Sequence, residues 1–138
     1  MITSLAELQL KTDTLPPFLS GLSTVLPLKV TNTEDQTWPA QGSTAVRVSY
    51  HWLTTDRNMV VFEGLRSSLP NDLLPEATAD IQATIVIPET PGEYILQLTL
   101  VQEHVRWFEK VGFKPLEFIL QIQDSNQYLA AQLSCIDY

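Results

Sequence analysis

The sequence predicts an all-β fold, an immunoglobulin-like antiparallel sandwich of about seven to eight strands with a short C-terminal helix as an option. Two observations predict it. Apolar and non-apolar residues alternate with a period of two through most of the chain, which is the pattern of strands with one buried face. Turn formers interrupt that pattern at short intervals, which is the spacing of a sandwich or barrel.

Taken in chain order, the expected strands are 5–11, 22–31, 44–53, 59–67, 77–87, 93–102, 105–110 and 115–123. Leu15-Pro16-Pro17 kinks an edge strand or links the first strand to the second. Leu26, Leu28 and Val30 share one face, and so do Val46, Val48, Tyr50 and Trp52. Asn32 to Gln36 with Trp38-Pro39 reads as a loop, and Thr55-Asp56-Arg57-Asn58 as a hairpin connection. Pro70-Asn71-Asp72 and Pro75 break the chain again, ahead of the alternation at Ala79, Ile81, Ala83, Ile85 and Ile87. Pro88 to Gly92 is the strongest turn, because proline presets φ and glycine permits a positive one. Tyr94, Leu96, Leu98 and Leu100 share a face of the next strand, and Leu116, Phe118, Leu120 and Ile122 a face of the last. Two regions follow: a sandwich over 1–123 and a tail over 124–138, where Leu129, Leu133 and Ile136 fall at helical spacing behind Asp124 or Ser125 as a cap. That tail is a helix packed on the sandwich or a frayed end.

Composition narrows function. The chain has 138 residues and a net charge of −8, with Lys and Arg totalling 8 and never clustered. Nucleic-acid binding needs a basic stripe, so nucleic acid is not an expected partner. The N-terminal residues lack the marks of a signal peptide, and the apolar runs fall short of a membrane span. The expectation is a soluble, cytoplasmic protein without membrane insertion. A single cysteine, Cys135, cannot form an internal disulfide.

No catalytic motif is legible. His51 and His104 read as solvent-facing, and with Cys135 they form no metal-ligand spacing, so no metal and no cofactor are expected. No serine lies in a Gly-x-Ser-x-Gly elbow, and Glu34, Asp35, Glu103 and Glu109 read as solvated charges. The expectation is therefore a protein that is not an enzyme.

The aromatic residues say more. Trp52 lies on an apolar strand face and should fill the core, and Tyr94, just after Pro91-Gly92, sits where a tyrosine corner would form. Trp38 and Trp107 either lid the sandwich or stand exposed. An exposed indole can stack on a sugar or anchor a protein contact. The outward positions Arg47, Ser49, His51, Gln97 and Thr99 would lie on neighbouring strands as an ordinary wet face or as a saccharide platform. The candidate ligand-binding residues are Trp107, Phe108, His51, Arg47 and Gln97.

A set of motifs resembles a known family. It comprises Val30-Thr31-Asn32-Thr33 with Trp38-Pro39, then Val48-Ser49-Tyr50-His51-Trp52 and Glu63-Gly64-Leu65-Arg66-Ser67-Ser68-Leu69-Pro70. Pro91-Gly92-Glu93-Tyr94-Ile95-Leu96, Val101 to Phe108 and Gly112 complete it. In order and spacing these resemble a bacterial immunoglobulin-like accessory domain, of the kind appended to glycosyltransferases and methyltransferases of surface-polysaccharide synthesis. Asn32 and Trp38-Pro39 are also distantly similar to the tryptophan-rich sandwich domain of selective-autophagy receptors. The resemblance implies non-catalytic work: recognising a saccharide or docking a partner protein, with a purely structural assembly domain as the alternative. It implies no specific ligand, and the oligomeric state stays open. Pro75-Glu76-Ala77 departs from the family's Pro-Gly-Glu and should need a different backbone or a looser loop.

Overall fold

The computed structural model describes residues 4–134. Cys135 and Ile136, which entered the readings above, lie outside them. The chain forms β1 (Ala6–Leu10), β2 (Phe18–Leu19), β3 (Ser23–Asn32), β4 (Val46–Thr54), β5 (Met59–Val61), β6 (Ser67–Ser68), β7 (Thr78–Val86), β8 (Gly92–Gln102), β9 (Arg106–Trp107) and β10 (Leu116–Gln123). A 3-10 turn spans Phe108–Val111, and α1 spans Ser125–Ser134. A small sheet runs β1-β3-β7 and a large one β2-β10-β8-β4-β5, with β6 also on β4 and β9 on β8. The two pack face to face as the expected sandwich.

The period-two faces close over one core. Leu26, Leu28, Val30, Ile81, Ala83 and Ile85 of the small sheet meet Val48, Tyr50, Trp52, Leu96, Leu98 and Leu100 of the large one. Trp52 is fully buried, and its indole N–H donates to the Val86 carbonyl at 2.9 Å. Tyr94 forms the expected corner, its hydroxyl donating to the Thr90 carbonyl at 2.7 Å. Trp38 is buried and lids one end.

Proline shapes the first strands. Pro27 sits inside β3, yet costs little, because it faces Lys11 just past the end of β1 and accepts that residue's N–H at 2.9 Å. Beyond Lys11 the chain leaves the small sheet through Pro16-Pro17 and joins the large one as β2, parallel to β10.

Three expectations change. The strand expected over 59–67 is two short pieces with a bend between them. The one expected over 105–110 is two residues followed by the 3-10 turn, which Gly112 ends at φ 110. The turn at Pro75-Glu76-Ala77 keeps a glycine-like backbone instead of loosening. Glu76 takes φ 66 and its N–H donates to the Asn32 carbonyl at 2.7 Å, so a side-chain-bearing residue occupies the left-handed region.

In the tail, Asp124 caps α1 by accepting the Gln127 N–H at 3.0 Å. Leu129 and Leu133 stay exposed rather than packed on the sandwich.

Candidate interaction site

The outer face of the large sheet is built by β4 and β8, whose register sets Arg47 opposite Val101, Ser49 opposite Thr99 and His51 opposite Gln97. This face was expected to be wet. Instead Ser49, His51 and Thr99 are fully buried. The residues between β5 and β6 fold over it from one side, and Trp107 with the 3-10 turn covers it from the other. Gly64 makes the first cover possible, since a Cβ there would stand 2.2 Å from the Tyr50 carbonyl oxygen. Ser49 Oγ and Arg66 Nη1 both donate to the Gly64 carbonyl, at 3.0 and 2.8 Å.

His51 is the centre of this layer. Its ring stacks on Phe62 at 4.6 Å and meets Trp107 at 4.7 Å. Nδ1 lies 2.5 Å from the Phe62 carbonyl, which only accepts, so Nδ1 carries a proton. Nε2 lies 2.8 Å from Glu109 Oε2, and Thr99 Oγ1 donates to Glu109 Oε1 at 2.7 Å. Burial pushes the Glu109 carboxyl up, but the hydrogen bonds from His51 and Thr99 outweigh it and hold the group below its ordinary range. An ionised carboxylate also only accepts, so the geometry is satisfied when both ring nitrogens are protonated. The layer is clamped by the hydrogen bonds that Glu109 accepts from His51 and Thr99.

The five candidate residues do not converge on one open platform. His51 and Phe108 are fully buried, which corrects the solvent-facing reading of His51 and removes both from surface contact. Phe108 belongs to the core, edge-on to Trp38 at 5.3 Å. Trp107 is half-buried, with the Arg66 guanidinium over its ring at 4.8 Å, so one indole face is already taken. Arg47 donates to Glu103 at 3.1 Å and Arg66 to the same carboxylate at 3.0 Å. Gln97 donates to Glu117 at 2.6 Å. The glutamates expected to be solvated are likewise engaged: besides Glu103 and Glu109, Glu34 accepts two hydrogen bonds from Arg106 and one from the Trp38 indole. His104 is exposed, as expected, at φ 62 in the β8–β9 turn.

The sheet edges are the other places where a partner could be held, and they differ. Backbone direction alternates along a strand, so one contact fixes the parity. Ser20 N–H donates to the Gln123 carbonyl across the β2 edge, so the odd residues of β10 face outward and the even ones bond to β8. Short of β2, which pairs at Ile122 and Gln123 and so takes the Gln121 carbonyl as well, the N–H and C=O groups of Glu117 and Ile119 have no partner among the described residues. Ile119 is 68% exposed in the middle of this edge. A groove lined by Ala6, Leu8, Phe113 and Leu116 runs beside it between the two sheets. The β7 edge, by contrast, is blunted. Val86 N–H donates to the Tyr50 hydroxyl, the Trp52 indole N–H donates to the Val86 carbonyl, Thr84 N–H donates to Ser67 Oγ, and Asp80 places a charge there. β5 is three residues long with a register shift in its pairing, and β1 is five residues long.

Comparison with solved structures finds several that are similar to this chain. Sporulation control protein Spo0M from Bacillus subtilis is similar over 98% of this chain and 56% of its own, with a TM-score of 0.53 and 12% identity. The alkylpurine DNA glycosylase AlkC of Pseudomonas fluorescens, solved bound to DNA containing an abasic site analog, aligns at a TM-score of 0.47 and 10% identity over 87% of this chain and 31% of its own. PapD-like domain 7 of human CEP192 aligns at 0.37 and 17% identity over 88% and 86%. The chain thus spans about a third of the glycosylase and just over half of Spo0M. The Spo0M likeness shows the fold and nothing finer. The chain matches no protein-family model and no curated protein.

Among the described residues no helix is long and apolar enough to cross a membrane, and no group of three or more His, Cys, Asp or Glu is placed to hold a metal ion. Sequence reasoning missed the covering layer and the open β10 edge. A signal for the first was present: after Glu93 at the start of β8, the outward positions of β4 and β8 are Ser49, His51, Leu53, Ile95, Thr99 and Val101 around Arg47 and Gln97, with no lysine and no further carboxylate among them. For the second, Ile119 stands among Glu117 and Gln121 on a face expected to be polar.

Proposed function

We propose that this chain is a non-catalytic binding module that engages a partner protein along the β10 edge, in the surface-polysaccharide setting that the motif resemblance implies. The observation that carries the reading is the contrast between edges: β7 is capped by side chains and a charge, whereas β10 is eight residues long and has an exposed isoleucine at its middle. Edge strands left unblunted in this way invite an added strand. The saccharide version has less support, because His51 and Phe108 are buried and Arg66 occupies a face of Trp107.

The test pans a random peptide library on the full chain and titrates a saccharide panel by calorimetry. Enriched peptides should alternate apolar residues and should lose binding to the Ile119→Pro variant, which removes one edge donor. Saturable saccharide binding that disappears in Trp107→Ala, with no peptide enriched, would replace this reading with the sugar one.

A further inference from the structure

We infer that the cover over the outer face of the large sheet is a proton-controlled latch, held shut by a proton between His51 Nε2 and Glu109 Oε2 and released when that proton leaves. The device is separate from the β10 edge and does not depend on what that edge binds.

The cover has two halves that come from different parts of the chain. One is the strap over 62–66 between β5 and β6, and the other is Trp107 with the 3-10 turn. His51 joins them. Its Nδ1 donates to the Phe62 carbonyl of the strap, and its Nε2 meets Glu109 of the turn. The ring packs on both Phe62 and Trp107, which also touch each other at 4.9 Å.

The proton count decides whether the halves can stay joined. A neutral imidazole has one N–H and one lone pair. If the N–H serves the Phe62 carbonyl, the lone pair of Nε2 is left 2.8 Å from a carboxylate oxygen, and both atoms are acceptors. The other tautomer moves the same fault to the Phe62 carbonyl. Water has little room to relieve it, since the His51 side chain is 0% exposed and that of Glu109 13%. One more proton turns both contacts into hydrogen bonds.

The surroundings leave this pair to act alone. Beside the ring, β8 supplies Gln97 and Thr99, which carry no charge, and β9 supplies Trp107. On the turn, Lys110 follows Glu109, and on the strap, Glu63 follows Phe62. Glu63 is paired with Arg66, whose guanidinium stands over Trp107 and also holds Glu103, the partner of Arg47. Among the described residues, Glu109 is thus the one titratable group hydrogen-bonded to the ring. The strap is also built to give way. Its flanking strand β5 has three residues and a register shift, and β6 has two. Opening bares the hydroxyls of Ser49 and Thr99 and the ring faces of His51 and Phe62.

The experiment follows the full chain by NMR from about pH 5 to about pH 9, a span that covers histidine titration. It reads the ring signals of His51 and His104 together with amide exchange over residues 61–68. Exchange over Leu26 to Val30 of β3 is the internal reference, which cancels the intrinsic rise of exchange with pH. As the His51 signal moves to the neutral form, protection of 61–68 relative to β3 should fall about 10-fold or more, because two buried acceptors lose their shared proton. In Glu109→Gln the step should vanish, since the amide can turn its N–H toward a neutral Nε2. His104→Gln should leave the step unchanged. Constant relative protection while His51 titrates would overturn the latch, and so would a His51 ring that keeps its extra proton throughout. A step that follows His104, or one that persists in Glu109→Gln, would also overturn it.

Discussion

Replacing Glu109 by glutamine tests the buried clamp that holds the outer layer on the large sheet. The substitution keeps size and shape. The amide oxygen can still accept from His51 Nε2, and Thr99 can rotate its hydroxyl to accept from the amide nitrogen. What is lost is charge. Hydrogen bonds to ionised groups contribute about 1.5–3 kcal/mol against about 1 kcal/mol for neutral ones, and Glu109 makes two. Relief of the carboxylate's desolvation offsets part of the loss, so the net cost at neutral pH should be about 1–2 kcal/mol. The pH dependence fixes the cause. The Glu109 carboxyl is held below its ordinary range in the folded chain, so its stabilisation is complete above the unfolded carboxylate value of about 4.3 and fades as pH falls through the lower folded value. Urea unfolding of both proteins at pH 7 and in steps below pH 4 should therefore show a gap that narrows on the acid side. Trp107, in contact with His51, reports the same layer by fluorescence. A gap of equal size at every pH, or none at pH 7, would refute the account of Glu109 as an ionised acceptor in this layer.

Other outcomes follow from single contacts. Glu76→Gly should stabilise the chain by about 0.5–1 kcal/mol in urea unfolding, because it relieves the left-handed φ of 66 at that position. Gly64→Ala should cost at least about 3 kcal/mol, since its Cβ would meet backbone 2.2 Å away and lift the cover from β4; an unchanged unfolding midpoint would contradict that packing. Asn32→Ala should cost about 2–4 kcal/mol, because the buried side chain donates to the Gln36 and Leu73 carbonyls and accepts the Glu34 N–H; its loss leaves the Gln36 carbonyl and the Glu34 N–H unpaired and the Leu73 carbonyl with the Trp38 N–H alone.

The sandwich was legible in the sequence because its core is a local property of each strand. Alternation at Leu26 to Val30, at Val46 to Trp52 and at Tyr94 to Leu100 assigns the inner face whichever strand lies alongside. Trp52 and Tyr94 could be placed for the same reason. The outer layer was not legible, because it depends on pairs far apart in the chain. His51 meets Glu109, Arg47 meets Glu103 and Arg106 meets Glu34, and no local pattern joins these residues. A histidine opposite an apolar face reads as wet until something is known to fold across it. The bend that does so hinges on Gly64, whose need for space arises only from its nearness to Tyr50. Edge status was hidden in the same way. Ile119 looks like an ordinary strand residue until sheet order shows that nothing lies beside it.

Amide exchange along β10 tests the open edge most directly. Phe118, Leu120 and Ile122 should exchange slowly through their bonds to β8, while Glu117 and Ile119 exchange at rates close to those of unpaired amides. Slow exchange at all five positions would contradict the account.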